Sequence, residues 1–261
     1  MEIGMSLACF YPLEPEFAVD QAKSLGMKTC EIFLNTFSEL EENYLIELRK
    51  KCDNANLSVH SIHPFTSAIE NYFFFSPYPR RIQDARELYF RYADAAKILG
   101  AKVINIHGDR GMGLERFDDY LECISPLRSL QDKTGIIYAM ENVFYNSVNH
   151  PEFTFRLHRA APDVGFTIDI KQAYKGDQDP IALIEAMGNG IVNFHVNDRD
   201  PDHLCMLPGR GAVNFDLLLS ALKKAGYQGP ALIEVYRQNF DKPDEILKSK
   251  QFLEQKVSLA K

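Results

Sequence analysis

Short apolar runs rich in β-branched residues recur along this chain, and each is followed by a stretch with helical spacing. The runs are Ile3–Ala8, Thr29–Leu34, Leu57–His63, Lys102–His107, Ile136–Glu141, Val164–Asp169, Ile191–Val196 and Ala231–Tyr236. The helical stretches between and after them are Glu16–Leu25, Ser38–Ala55, Arg80–Leu99, Phe117–Lys133, Pro151–Ala160, Pro180–Met187, Phe215–Ala225 and Asp244–Val257. Parallel strands need a long crossover, usually a helix, so strict alternation of the two patterns implies a parallel sheet. Continuous apolar strands imply burial on both faces. Eight such units in 261 residues fit a closed (β/α)8 barrel, which typically takes ~250 residues. An open doubly wound sheet would normally offer a glycine-rich phosphate loop after its first strand. CFYPLEP stands there instead, with no G-x-G-x-x-G. No linker, low-complexity tract or short repeat interrupts the pattern, so residues 1–261 are expected to form one α/β domain, a TIM barrel.

Local punctuation agrees with this division. Gly26 and Gly100 follow helical stretches as stop signals. Ser38 with Glu41 forms a capping-box pattern, and Asn214 is the expected N-cap of the stretch from Phe215. Pro64 is expected to close the third strand, since it lacks a ladder donor, and Pro126 to break the helix around it.

Barrels of this type carry their active sites at the C-terminal ends of the strands. The polar residues at those ends are His63, His107, Glu141, Asn142, Asp169, Gln172, His195, Asp198 and Glu234, with Asn193 further in. Four strands each finish with one metal-competent side chain: Glu141, Asp169, His195 and Glu234. Three carboxylates and one imidazole form a hard, oxygen-rich set that suits one divalent ion, Mn²⁺, Mg²⁺ or Co²⁺, and accepts Zn²⁺. The alternative is four isolated polar groups bonded to loop backbone. It is disfavoured because buried acids near one axis repel without a cation.

His63 and His107 are candidates to hydrogen-bond a substrate oxygen or a metal-bound water, against a plain loop-anchoring role. His60 lies three residues before His63, so a period of two points it to the opposite face as a packing residue. The loop Arg199–Gly211 is long and polar, and Arg210 or His203 is a candidate to close over a substrate. The aromatics Tyr72–Phe75 wall a pocket, form a subunit contact that would make a homo-oligomer, or pack beneath the next helix.

A formal net charge of −7 removes long-range attraction to phosphate backbones and weighs against nucleic acid as a partner. No run of ~18 apolar residues is present, so no membrane span is expected. MEIGMSLACF lacks the basic start and cleavage site of a signal peptide. The scattered Cys9, Cys30, Cys52, Cys123 and Cys205 read as thiols of a reducing compartment, so a cytoplasmic location is expected.

The order Glu, Asp, His, Glu at strands five to eight resembles the xylose isomerase-like barrel superfamily. Within it the chain is most similar to the sugar phosphate isomerase/epimerase group, which includes ketose 3-epimerases, hydroxypyruvate isomerases and inosose dehydratases. The segments that carry the resemblance are AKSLGMKTCEIF, INIHGD, MENV, FTIDIKQA, NFHVND, LPGRG with VNF, and GYQGPALIEVY. The resemblance implies that Glu141, Asp169, His195 and Glu234 bind one divalent metal. It also implies that Glu141 and Glu234 are the acid–base pair, and that the substrate is a small carbohydrate. Two positions depart from the family's pattern. Gln172 stands where a histidine is common, and Pro201 where ketose 3-epimerases carry an arginine. An endonuclease IV-like phosphodiesterase acting on abasic DNA and a non-catalytic ligand-binding barrel are the rival expectations.

Overall fold

A computed structural model describes residues 1–259. Eight parallel strands close into a barrel in sequence order. They are β1 Ile3–Ser6, β2 Thr29–Leu34, β3 Ser58–Pro64, β4 Val103–Ile106, β5 Ile137–Glu141, β6 Phe166–Asp169, β7 Ile191–Val196 and β8 Ala231–Ile233. β1 closes on β8 through Ile3↔Ala231 and Met5↔Ile233. The helices are α1 Pro15–Ser24, α2 Glu42–Asn54, α3 Glu70–Phe73, α4 Pro79–Leu99, α5 Phe117–Thr134, α6 Pro151–Ala160, α7 Ile170–Lys175, α8 Pro180–Met187, α9 Phe215–Lys224 and α10 Asp244–Leu259. The predicted TIM barrel is therefore the observed fold. No helix among the described residues is long and apolar enough to cross a membrane.

The outer helices form because each has one apolar stripe to bury against the strands. On α4 that stripe is Tyr89, Tyr92, Ala93, Ala96 and Leu99, all with no exposed surface. Burying each large side chain contributes about 1.5–3 kcal/mol before entropy is counted. Gly100 ends α4 in the left-handed region at φ 79°, which a residue with a Cβ resists. Asn214 caps α9 as expected, its side chain accepting from the Leu217 amide at 3.2 Å.

Three local expectations fail for physical reasons. Ser38 lies in a short 3-10 turn, Phe37–Leu40, and α2 starts only at Glu42. Pro64, by contrast, closes β3 as expected, as its last paired residue opposite Leu34. Pro126 does not break α5. It sits on a half-exposed flank while Phe117, Tyr120, Ile124, Leu127 and Leu130 hold the helix to the core. A register shift opposite Cys30/Glu31 falls at His60 and upsets the period-two count in β3. His60 consequently reaches across the barrel and donates from Nε2 to the Val192 carbonyl of β7 at 3.0 Å.

Candidate metal centre and active site

Successive strand residues alternate faces, so one strand can present two inward polar groups two residues apart. β3 does this with Ser61 and His63, β6 with Thr167 and Asp169, β7 with Asn193 and His195. Lateral pairing sets Asp169 beside His195 and Glu141 beside Thr167. The result is two polar tiers inside the barrel.

The lower tier is centred on Glu31 of β2, which has no exposed surface. Its carboxylate accepts from Ser6 Oγ (3.1 Å), Ser61 Oγ (2.7 Å), Asn105 Nδ2 (2.6 Å) and Asn193 Nδ2 (3.1 Å). His195 Nε2 lies 3.0 Å from the same Oε2. A carboxylate only accepts, so Nε2 carries the proton and Nδ1 is aimed upward. Nδ1 then lies 3.1 Å from Glu234 Oε2 and 3.9 Å from Glu141 Oε1.

The upper tier is the predicted set. Glu141, Asp169, His195 and Glu234 each offer one ligand atom within 4.8 Å of the others. Asp169 also caps α7, with Oδ1 accepting from the amides of Lys171 (2.7 Å) and Gln172 (3.3 Å) and from Asn197 Nδ2 (3.3 Å). That use of Oδ1 turns Oδ2 toward the axis. Asp169 Oδ2, Glu141 Oε2 and His195 Nδ1 are buried and make no well-aligned hydrogen bond, although Lys171 Nζ, His107 Nε2 and Glu234 Oε2 lie 3.2, 3.4 and 3.1 Å from them. Buried polar atoms are nearly always satisfied, so three under-satisfied atoms converging on one region suit a further, shared partner. Two carboxylate oxygens and a neutral imidazole nitrogen fit a divalent cation, with Glu234 as the fourth ligand.

Charge directions in the metal-free site follow from crowding. Burial drives Asp169 up to about 7, reinforced by Glu234 and Glu141 and opposed by Lys171. Burial also opposes ionisation of Glu141 and Glu234, but neighbouring cations outweigh it and hold both low. For Glu141 these are His107 and His195, for Glu234 His195 and Lys171. His195 is pushed down by burial yet ends well above the usual imidazole range because Glu234 and Glu31 face it. Binding a cation here would release protons from Asp169 and His195.

His63 and His107 stand at the edge of this tier. Their Nε2 atoms are 3.1 Å apart, and Glu141 Oε2 lies 3.4 Å from His107 Nε2 and 3.8 Å from His63 Nε2. Together with Glu141 they form a second group able to hold an ion. The third proposed substrate contact, Arg210, is not brought here. Its guanidinium pairs with Glu245 on α10. His203 is likewise exposed and bonded to Asp200. Asp198 serves the loop instead of the cluster, accepting from the amides of Arg199, Gly209, Gly211 and Val213. Gly211 is required there, because a Cβ would fall 2.2 Å from the Arg199 carbonyl oxygen. Gln172 faces away from the cluster and accepts from the Phe144 amide at 3.3 Å.

Of the aromatic group after β3, Phe74 packs fully into the core against Tyr89, and Phe75 packs on Tyr120. The aromatic wall beside the site comes from β2 and the loop after β1: Phe33 meets His63 edge-on at 5.4 Å, and Tyr11 meets Phe33 at 6.1 Å. Two further charged residues were not singled out from sequence. Glu31 was detectable as a lone carboxylate inside the apolar run TCEIFL. Lys171, whose Nζ lies 3.2 Å from both Asp169 Oδ2 and Glu234 Oε2, carried no such signal.

Solved structures share this architecture over the whole chain. A D-tagatose 3-epimerase-like protein matches at 20% identity and TM-score 0.80, covering 100% of this chain and 98% of its own. The D-psicose 3-epimerase of Clostridium cellulolyticum H10 matches at 15% identity and TM-score 0.82, covering 98% and 99%. The 3-keto-D-glucoside 4-epimerase of E. coli matches at 18% identity and TM-score 0.76, covering 98% and 99%. At these identities the likeness is one of fold. No curated protein sequence matches the chain. The profile described as xylose isomerase-like TIM barrel matches residues 19–256, and with the closed barrel and its strand-end residues in place, the chain belongs to that family.

Proposed function

We propose that this barrel is a divalent-metal-dependent isomerase or epimerase that moves a proton next to the carbonyl of a sugar, sugar phosphate or related hydroxy-ketone. The observation that carries the reading is the convergence of Glu141 Oε2, Asp169 Oδ2 and His195 Nδ1, buried and without a well-aligned hydrogen bond, beside Glu234. The fold neighbours named as sugar epimerases support the same class. A divalent ion held by these four residues would polarise a substrate carbonyl and offset charge developing on its oxygen.

Glu141 and Glu234 reach the centre from different strands. Glu141 ends β5 and Glu234 follows β8. Both are held in the ionised form, so either can accept a proton from carbon. For epimerisation the opposed group must first take a proton from solvent; it then delivers that proton to the other face of the same carbon while the first glutamate keeps the one it abstracted. Delivery of a proton to the neighbouring carbon, with the adjacent hydroxyl proton passing to the former carbonyl oxygen, is aldose–ketose isomerisation. His63 and His107, with Nε2 atoms at the rim of the cluster, are placed to hydrogen-bond substrate oxygens. Arg210, held by Glu245, has no part in this reading.

The test is solvent exchange. Ketoses, their phosphates and keto acids are incubated in heavy water with metal-loaded protein, and deuterium beside the carbonyl is read by NMR. Exchange is expected with at least one of them, and Glu141→Gln or Glu234→Gln should slow it on the order of 10²-fold or more. Silence across the panel refutes the assignment.

The second ion-competent group, His63, His107 and Glu141, favours a second reading as a multinuclear phosphodiesterase. Gln172 argues against it, because the expected extra imidazole is replaced by an amide turned toward the Phe144 backbone. We expect one metal per chain and no incision of a duplex carrying one abasic site at low salt with excess Zn²⁺. Efficient incision with several bound metals would select the second reading.

A further inference from the structure

We propose that Lys171 is a resident second cation of the metal centre, sharing Asp169 and Glu234 with the divalent ion and weakening the hold on that ion. The inference rests on the metal-centre reading above and deepens it.

Three features place the ammonium there as a built component. Nζ lies 3.2 Å from Asp169 Oδ2 and 3.2 Å from Glu234 Oε2, the same carboxylates that belong to the candidate ligand set. The Lys171 side chain is 6% exposed, so it does not sample water as a surface lysine does. Its position is fixed from two sides. The Lys171 backbone amide donates to Asp169 Oδ1 at 2.7 Å, and Nζ lies 4.9 Å from the centre of the Tyr236 ring. One residue thus touches both oxygens of Asp169, one through its amide and one through its ammonium.

The consequence is electrostatic. An ion coordinated by Asp169 Oδ2 at the usual ~2.1 Å for a hard divalent metal cannot lie further than about 5.3 Å from Nζ. A +2 and a +1 charge at that range repel by more than tenfold in binding constant even at the dielectric of water, and by more in a buried site. Lys171 also pre-sets the carboxylates, which acts in the opposite direction. The Nζ–carboxylate attraction itself is present with and without the ion and drops out of the binding constant to first order, whereas the repulsion exists only in the loaded site. Repulsion therefore wins, and the ion is held more weakly than by the four ligands alone.

Lys171→Met keeps the stem and removes the charge, whereas Lys171→Arg keeps the charge. Mn²⁺ affinity of chelator-stripped protein is measured by calorimetric titration. Lys171→Met is expected to bind at least tenfold more tightly than the unmodified chain, and Lys171→Arg to stay within about threefold of it. Stripped Lys171→Met should also melt lower, with a larger upward shift on adding Mn²⁺, because its carboxylates have then lost their only resident ammonium. If stripped Lys171→Met does not stay folded, the variant is prepared in Mn²⁺ and ion release into excess chelator is timed. Release at least tenfold slower supports the proposal, and equal or faster release overturns it. Binding by the unmodified chain with no gain in Lys171→Met overturns the role of Lys171 and leaves the metal centre standing. Binding by Lys171→Met alone supports the proposal in its strongest form, with the ammonium excluding the ion. No binding by any variant overturns both.

Discussion

Replacing Glu31 by Gln tests whether the lower tier governs the upper one. Glu31 touches no candidate metal position, yet it holds the Nε2 side of His195 at 3.0 Å. Its Oε2 also accepts from Ser61, Asn105 and Asn193, while Oε1 accepts from Ser6. In Glu31→Gln the amide oxygen best takes the Oε2 position, where every neighbour donates. The amide nitrogen then faces the Ser6 hydroxyl, which can rotate to accept. Shape and bond count survive, and only the charge is lost. A hydrogen bond to a charged group contributes about 1.5–3 kcal/mol and a neutral one about 1 kcal/mol, so several bonds each weaken. Removing a buried charge offsets part of that. The expected net loss is ~1–3 kcal/mol in a urea melt, with the protein still folded. His195 would lose its anionic partner, and loss of such an outer partner typically weakens metal affinity about 10–100-fold. Glu31→Leu is the contrasting control. It strands five buried donors at ~1–3 kcal/mol each, comparable to the whole ~5–15 kcal/mol stability of a domain, and should not fold. A folded Glu31→Gln whose Mn²⁺ affinity stays within about threefold of the unmodified chain would refute the coupling between tiers.

Stability without added metal should fall as pH rises from about 5 to 8. Asp169, at about 7, and Glu70, also pushed up by burial to about 7, bind protons in the folded state that the unfolded chain has released. Their stabilising contribution is complete below the ordinary carboxylate pKa and is lost on the way up to about 7. His195 and His107, both raised, lose theirs above the usual imidazole range. The lowered Glu141 and Glu234 act only in more acidic solution, and His63, lowered by burial and His107, opposes the trend weakly. Melting curves from pH 5 to 8 check this: saturating Mn²⁺ should reverse the slope, and a flat or rising metal-free profile would contradict the charge assignment. Asp198→Ala removes the acceptor of four part-buried loop amides that water can then reach, and at a net ~0.5–1 kcal/mol each it should cost ~2–4 kcal/mol. Hydrogen exchange should accelerate at Gly209, Gly211 and Val213; unchanged exchange there would show that the loop does not hang on Asp198.

The barrel was legible because its signal is redundant. Eight apolar runs alternating with helical stripes leave few other topologies, and an error at one boundary does not alter the rest. The strand-end cluster of Glu141, Asp169, His195 and Glu234 was legible for a related reason. A charged or imidazole side chain at the close of an apolar run has only a loop or the barrel mouth to face, and Asp169 and His195 proved to be direct lateral partners. What failed depended on single local balances. Nothing in the spacing of His60 and His63 reveals the register shift between them. Arg210 was placed over the site because its loop is long and polar, but Glu245 on α10 captures it, a contact 35 residues away in sequence. Helix α7 was missed because it is short and is started by the side chain of Asp169 itself.

Glu31 and Lys171 explain why the four candidate ligands stand as they do. Neither is itself among the candidate ligands. Glu31 sits below and fixes which nitrogen of His195 is available. Lys171 sits above and, with its own amide, divides the two oxygens of Asp169 between helix capping and the axis. A centre made only of Glu141, Asp169, Glu234, a neutral His195 and a divalent ion would carry one net negative charge. The Lys171 ammonium cancels it. An uncharged sugar is indifferent to that difference at long range, but a phosphorylated or carboxylated substrate is not, since one unit charge within a few ångströms changes affinity by tenfold or more in a poorly solvated site. Comparing neutral ketoses with keto acids and ketose phosphates in Lys171→Met therefore reports on substrate charge. Selective loss of exchange on the anionic compounds is expected, and an unchanged ratio of rates between the two classes would confine the role of Lys171 to the metal.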